Sequence, residues 1–499
     1  MSKSYSKHSR TITNEERRTF IRKLAATTAF ALAAPVFKSF SAQEKSTLEN
    51  QVSGNVFWKD SPRYESIRGA NTYRSNEPKR YPLIIVQPLN DDDVVAAVKF
   101  ARQHKLKVTT RSGGHAWSAS HIREGCLLVD MSLMQQVDID EKRQTLWTNT
   151  GVLGSKINAM LKTMGLIIPT AHHPSPGIGG FTMNGGFGWN SRKWGNGARQ
   201  LLAIDVVTAD GELIRADATQ NTDYLWAARG SGQGFFGIVT RMQIQAHPRP
   251  KVWKRSVYGF RPEQFDELIT WIRNVMPEIP EEVEMVLVST SHDAKTGDAS
   301  APRLTVAALS LADTDEECDR QLDFIDTCPI LDKAYFTMPC TPTTLEECYM
   351  SGYSADPAGF RFAVDNMYTN ASAEELLPRI REVFLNQPTP RTHTFWHCWG
   401  PTKPYEDDMA LSMQGDVFIA TYTLWTDPAL DTEMHSWPVA QIKALEDLSI
   451  GAQMNDENML DHAQDYLSKA AYSKLERLRA KHDPNGVFAS FLGSPQKYI

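Results

Sequence analysis

Residues 177–188 read Gly-Ile-Gly-Gly-Phe-Thr-Met-Asn-Gly-Gly-Phe-Gly, six glycines in twelve positions. That density opens backbone dihedrals closed to other residues and lets N–H groups approach a ligand with no Cβ in the way, which suits a pyrophosphate. A flexible surface loop would not carry Ile178, Phe181, Met183, Phe187 and Trp189. Two more glycine-rich pieces occur: Arg111-Ser112-Gly113-Gly114-His115, directly after an apparent strand ending near Thr110, and the segment 230–237. The latter holds a formal GxGxxG at Gly232, Gly234 and Gly237. A Rossmann fingerprint follows a strand and opens a helix, whereas Ile238, Val239 and the residues to Gln245 read as a strand, so that reading is rejected. Three glycine-rich segments in one α+β stretch are best explained by one long dinucleotide lying across several loops.

The frame around these segments is regular. Leu83–Val86, between Pro82 and Pro88, reads as a short buried strand, and Asn90 or Asp91 caps a helix whose apolar face is Val94, Val95, Ala97, Val98 and Ala101. Lys105–Val108 starts another strand, giving a β-α-β unit. A second helix is expected over Leu153–Met164, with Gly165 as its left-handed terminator and Leu166–Ile168 as the next strand. Strands over 202–208 and 238–245 complete an α+β domain. From Trp253 the pattern changes to long strands alternating with amphipathic helices, including Pro262–Val275 and one opened by the capping box Ser372-Ala-Glu-Glu375. A final helix over 472–481 stops at Asp483-Pro-Asn-Gly486.

With 499 residues, 41% hydrophobic and 22% charged, the chain is neither disordered nor polytopic. The net charge of -6 leaves no general basic field, so no nucleic-acid partner is expected. Residues 1–42 differ from the rest, carrying eight Lys or Arg against Glu15 and Glu16 only. There Arg17-Arg18-Thr-Phe-Ile precedes an uncharged stretch from Leu24 to Phe37, too short to span a bilayer of ~30 Å. It reads as a cleavable export signal, and the paired arginines resemble a twin-arginine signal, which implies bacterial export to the periplasm or beyond. No stable membrane span is expected. Six cysteines without a CxxC are read as packed free thiols, with one disulfide among the cluster from Cys318 to Cys348 as the alternative for an exported chain.

Pro82-Leu-Ile-Ile-Val-Gln-Pro with its helix, Arg111–His115, the 177–188 segment, Trp226-Ala-Ala-Arg-Gly-Ser-Gly and Phe236-Gly-Ile-Val-Thr together resemble the FAD-linked oxidoreductases of the vanillyl-alcohol oxidase superfamily. The closing Tyr472–Phe488 stretch is similar to that of its berberine-bridge-enzyme-like branch. The resemblance implies an α+β fold with a two-part FAD-binding domain of the PCMH type over 78–249. It also implies a substrate domain of antiparallel sheet and covering helices over 250–450, and a segment 451–499 returning to the FAD domain. It implies FAD bonded covalently through His115, within a cofactor site of Arg111, Ser112, Gly113, Gly114, His173, Gly177, Gly179, Gly180, Asn184, Gly185, Gly186, Gly188, Gly237, Ile238, Val239 and Asn455. His173 stands where some members carry a second linking Cys, so a single covalent bond is expected. The implied chemistry is hydride transfer from a hydroxyl- or amine-bearing small molecule to the flavin, with oxygen or another electron acceptor completing the cycle. A flavin-containing carrier without turnover, or a UDP-enolpyruvyl-type reductase of the same fold, are the alternatives.

A base must remove a proton from the reacting hydroxyl or amine. A strand over 392–399 places His393, Phe395, His397 and Trp399 on one face, and Tyr422 shares a face with Phe418 in the next. His393, His397 and Tyr422 are the candidates. His393 and His397 lack a third ligand at metal spacing, so no metal site is expected.

Overall fold

The computed structural model describes residues 39–291, 303–400 and 407–497. The first sheet has four strands in the order Asn55–Trp58, Ile84–Gln87, Leu127–Asp130, Val108–Arg111, the last three mutually parallel. Parallel neighbours need a crossover, supplied by helix Asp91–Gln103. Asn90 caps it by accepting from the Asp93 N–H, Asp91 to Asp93 fill its first turn, and Val94, Ala97, Val98 and Ala101 are buried. Val108–Arg111 is an edge strand, which the C-terminal segment covers. Val108 N–H donates to the Val487 carbonyl at 2.8 Å and Ala489 N–H to the Val108 carbonyl at 2.9 Å. The Asp483 carboxylate accepts the N–H groups of Val487 (2.6 Å) and Phe488 (2.9 Å), which shapes the turn.

The second sheet has five antiparallel strands, ordered Val137–Asp140, Thr145–Asn149, Ile238–Gln245, Leu201–Val207, Leu213–Ala216. Helix Gly154–Lys162 ends ahead of Gly165 at φ +65°. The strand after it is shorter than the sequence suggests: Leu166–Ile167 pairs with His247–Pro248 and does not join the larger sheet. Within the glycine-rich segment, Ile178–Met183 forms a turn of helix, because Ile178 and Phe181, three apart, both bury against the core. The formal GxGxxG holds only a 3-10 turn at Gly232–Gly234, followed by the strand Ile238–Gln245.

The third sheet has seven antiparallel strands, in the order Phe336–Pro342, Val252–Phe260, Arg303–Ala312, Val283–Thr290, His393–Cys398, Val417–Trp425, Arg361–Thr369. Alternation divides its faces. Met285, Leu287, Val306, Trp396 and Ile419 pack against helices Phe265–Val275 and Ala373–Leu385, and the intervening residues point the other way. The capping box at Ser372 and Glu375 is present. The expected helix at 262 divides into a 3-10 turn, Pro262–Gln264, and the helix Phe265–Val275. The last helix starts at Lys469, capped by Ser468, earlier than the apolar pattern suggests. All six cysteines are free thiols. The proposed signal lies almost wholly in residues 1–38, outside the described residues.

Candidate active site

A cavity of about 690 Å³ lies between the glycine-rich segments and the face of the seven-stranded sheet opposite helices Phe265–Val275 and Ala373–Leu385, with helix Leu345–Ala355 closing one side. One wall is the turn after strand Val108–Arg111. There Gly113 presses backbone to backbone on Gly177, so a Cβ at either would strike the other's main chain. Arg111 is anchored on Asp130 at 2.7 Å, and its unused Nε is buried without a partner. Gly180, by contrast, faces open space, with Ser112 Cβ at 3.9 Å the nearest atom to a would-be Cβ.

Arg111, Ser112, Gly113, Gly114, His115, His173, Gly177, Gly179, Gly180, Asn184, Gly237, Val239 and Asn455 all line this cavity, as do His393 and Tyr422. Five candidates do not. Gly185 at φ +113° packs on Leu411, Gly186 at φ +76° on Gly197, and Gly188 on the Thr170 backbone. Ile238 points into the fold with no exposed surface. These four glycine-segment and strand residues serve chain packing. His397 is also fully buried, its ring against Phe187 at 4.5 Å. Burial lowers its pKa, and it does not reach the cavity surface.

His115 stacks on Tyr73, centroids 4.1 Å apart, and its Nε2 is buried with no hydrogen-bond partner. Burial, with the neighbouring His173 adding to it, lowers its pKa to about 3, so the ring is neutral with a lone pair free. His173 is fixed through both nitrogens. Ser175 N–H donates to Nδ1 at 3.2 Å, which leaves the proton on Nε2, facing the Tyr73 hydroxyl at 3.1 Å. Tyr73 in turn donates to the Asp356 carbonyl at 2.6 Å.

The sheet face adds a second constellation. Tyr422 donates to Asp456 Oδ2 at 2.9 Å, and Trp117 Nε1–H donates to Asp456 Oδ1 at 2.8 Å. His393 stacks on Tyr422 with centroids 5.0 Å apart, and its Nε2 lies 3.6 Å from Asp356 Oδ1, beyond a hydrogen bond. Burial raises Asp356 to about 7 and lowers His393 to about 4. Burial also raises Asp456 to about 6, with Asp356 reinforcing it against the donors Tyr422 and Trp117. Tyr422 is pushed well above its ordinary value by burial and by the two carboxylates. Asp356, Asp456, Trp117 and Tyr73 escaped the sequence reading. Asp456 adjoins Asn455, which was singled out, but nothing local distinguishes Asp356 or Tyr73 from turn residues.

The donor set fits FAD. Glycine backbone lines one long cavity at three separate segments, and an unpartnered neutral imidazole sits in the same wall.

Residues 82–217 match the family model described as FAD binding domain. The FAD-linked oxidoreductase nodO of Hypoxylon pulicicidum is 27% identical over 441 residues, covering 86% of this chain and 95% of the relative. Berberine bridge enzyme-like Cyn d 4 of Cynodon dactylon is 32% identical over 250 residues, 48% of each chain. Among solved structures, 6-hydroxy-D-nicotine oxidase from Arthrobacter nicotinovorans superposes with a TM-score of 0.75 at 19% identity, over 88% of this chain and 96% of that one. Fold and cavity define a flavin-binding α+β protein of the PCMH type. The chain is an FAD-dependent oxidoreductase, similar to the berberine bridge enzyme-like branch of the vanillyl-alcohol oxidase superfamily.

Proposed function

We propose that the protein oxidises a hydroxyl- or amine-bearing small molecule, with its flavin tethered to His115 and Tyr422 passing the substrate proton to Asp456. The single observation that carries this reading is the Tyr422–Asp456–Trp117 chain opening onto the cavity that His115 also lines. When bound, FAD supplies a hydride acceptor. As the substrate carbon gives up a hydride, its oxygen or nitrogen must lose a proton. Tyr422 alone is a poor acceptor, since its phenolate is disfavoured. It need never become one if its own proton moves to Asp456 as it takes the substrate's. Asp456, at about 6, is a carboxylate at neutral pH and can receive that proton. Trp117 fixes the carboxylate's orientation, and His393 stacks on the phenol and positions it.

A single tether at His115 is supported by its unpartnered buried nitrogen, and His173 is held by Ser175 and Tyr73. The domain division at 249/250 and the return of 451–499 are part of the same reading, supported by the pairing of Val487 and Ala489 beside Val108. Oxygen or another acceptor would reoxidise the flavin. Export by the twin-arginine route is supported by Arg17-Arg18 and the uncharged stretch behind them. Among the described residues no helix is long and apolar enough to cross a membrane.

Two measurements test the reading. Purified protein is expected to stay yellow after acid precipitation, whereas His115→Ala yields a releasable flavin or none. Anaerobic mixing with a panel of alcohols, sugars and amines is expected to bleach the flavin with at least one of them. Flavin fully extractable from the wild type overturns the tether, and a flavin that no such substrate reduces overturns the proposed oxidation.

A further inference from the structure

Away from the Tyr422 end, the cavity contains a charge that the proposed proton transfer does not use. Glu284 lies on strand Val283–Thr290, whose cavity face is Glu284, Val286 and Val288. Thr290, at the far end of that strand, pairs with His393, which pairs with Tyr422. Two cavity-facing positions, Val286 and Val288, therefore separate Glu284 from the reacting end of the strand.

Glu284 is nearly buried, with 11% of its side chain exposed. Its Oε1 accepts from His172 Nε2 at 2.7 Å, and His397 Nε2 stands 3.7 Å away, too far for a hydrogen bond. Oε2 takes no hydrogen bond from any described residue. Burial alone would raise this carboxyl, but the two imidazoles outweigh it and hold it at about 2, so it stays ionised. No lysine or arginine among the described residues pairs with it. Arg192 is spent on the carbonyls of Pro280, Val283 and Ile279. Arg255, which also lines the cavity, stands across Leu309 in the same row of the sheet, two strands from Glu284; its Nη1 donates to Ser351 and its Nε has no hydrogen-bond partner. Aromatic rings stand around the carboxylate: Trp189 lies 4.3 Å from the His172 ring, and Phe187 packs on both His172 (6.0 Å) and His397 (4.5 Å). Phe187 and Trp189 both line the cavity.

A half-satisfied carboxylate in a pocket walled by aromatic faces and by Val286, Val257 and Leu309 is built for a cation with an apolar skirt. The charge pairs with the oxygen, and the C–H groups beside it rest on the rings. We propose that Glu284, with His172, Phe187 and Trp189, forms a subsite that holds a protonated amine of the substrate, remote from the carbon that is oxidised. This rests on the proposed oxidation for its meaning, since the subsite would select which hydroxyl- or amine-bearing molecules reach Tyr422. His172 acts as a positioning residue for the carboxylate.

Calorimetric titration of the oxidised holoenzyme tests it without turnover. The probes are tyramine, phenethylamine and tryptamine, each against the alcohol of the same skeleton: tyrosol, phenethyl alcohol and tryptophol. At least one amine is expected to bind 10-fold or more tightly than its alcohol, and Glu284→Gln to erase that preference by weakening the amine far more than the alcohol. Glu284→Asp, which keeps the charge on a shorter arm, is expected to retain part of it, and Trp189→Leu to weaken amine binding several-fold. The wild-type comparison needs no variant, so a misfolded Glu284→Gln does not shelter the idea. No amine preference in the wild type, or a preference that survives in Glu284→Gln, overturns the subsite. Amine binding through Glu284 with a flavin that no amine or alcohol reduces would instead sink the proposed oxidation and leave the subsite standing.

Discussion

The phenol of Tyr422 and the carboxylate of Asp456 are joined by a 2.9 Å hydrogen bond, although Tyr422 lies on a strand of the seven-stranded sheet and Asp456 in the 3-10 turn Met454–Asp456, outside that sheet. In the proposed oxidation this pair would turn an unfavourable base into half of a relay, because the tyrosine proton has a receiver already in place.

Both Tyr422→Phe and Asp456→Asn are therefore expected to slow anaerobic flavin reduction by ~100-fold, the ordinary scale of general-base loss, with flavin content unchanged. The relay needs Asp456 ionised, so the wild-type reduction rate should rise with pH through about 6 and level off above it. That limb should disappear in Asp456→Asn. Wild-type rates in both variants would place the proton acceptor elsewhere.

How much of this was legible in the chain depends on whether the information was local. Strand alternation correctly put His393, Phe395 and His397 on one face, as pairing with Tyr422, Ala420 and Phe418 shows. It could not say that Phe187 screens His397 from the cavity, because Phe187 arrives from two hundred residues away. Glycine density located the wall of the cavity. It could not separate Gly179 and Gly180, which line it, from Gly185, Gly186 and Gly188, which let Leu411, Gly197 and Thr170 pack closely. Asp356 and Asp456 were invisible as a pair, since only the folded sheet brings these turn residues to Tyr422.

The same distinction among glycines predicts opposite outcomes for two alanine substitutions. In Gly113→Ala the new methyl lands on the Gly177 backbone, whose Cα would lie 2.9 Å away, and neither loop can retreat without opening the other. A loss on the order of 1–3 kcal/mol, the usual cost of overpacking, is expected as a lower midpoint in urea. Gly180→Ala meets nothing closer than 3.9 Å and sits in a helical turn, where alanine is favoured by roughly 0.5–1 kcal/mol. That variant should fold at least as stably as the wild-type apoprotein yet carry less FAD, because its methyl enters the cavity. Full FAD content in Gly180→Ala would remove this residue from the cofactor wall.

For export, conversion of both Arg17 and Arg18 to lysine is expected to retain full-length protein inside a bacterial cell, while the charge of the segment is unchanged. Fractionation followed by immunoblotting reads this directly. Periplasmic delivery equal to wild type would point to another route or to a misread signal.

Asp356 allows a prediction in which the sign is set by burial alone. Its folded pKa of about 7 lies well above the ~3.9 of an unfolded aspartate. The native state therefore holds a proton that the unfolded chain has released between those values, and stability falls as pH rises through that window. The neighbouring His393 works the other way: lowered to about 4, it costs stability as pH falls below its unfolded value. Wild-type stability mixes the two, so the informative quantity is the difference between Asp356→Asn and wild type. Asparagine is isosteric with the protonated acid, which has no ionised form to bury. The variant should match wild type near pH 4 and exceed it near pH 8, by an amount on the order of a few kcal/mol at most. Urea midpoints for the two proteins at pH 4, 6 and 8 read this difference, and a gap that stays constant across the series would show that Asp356 does not titrate in the folded protein.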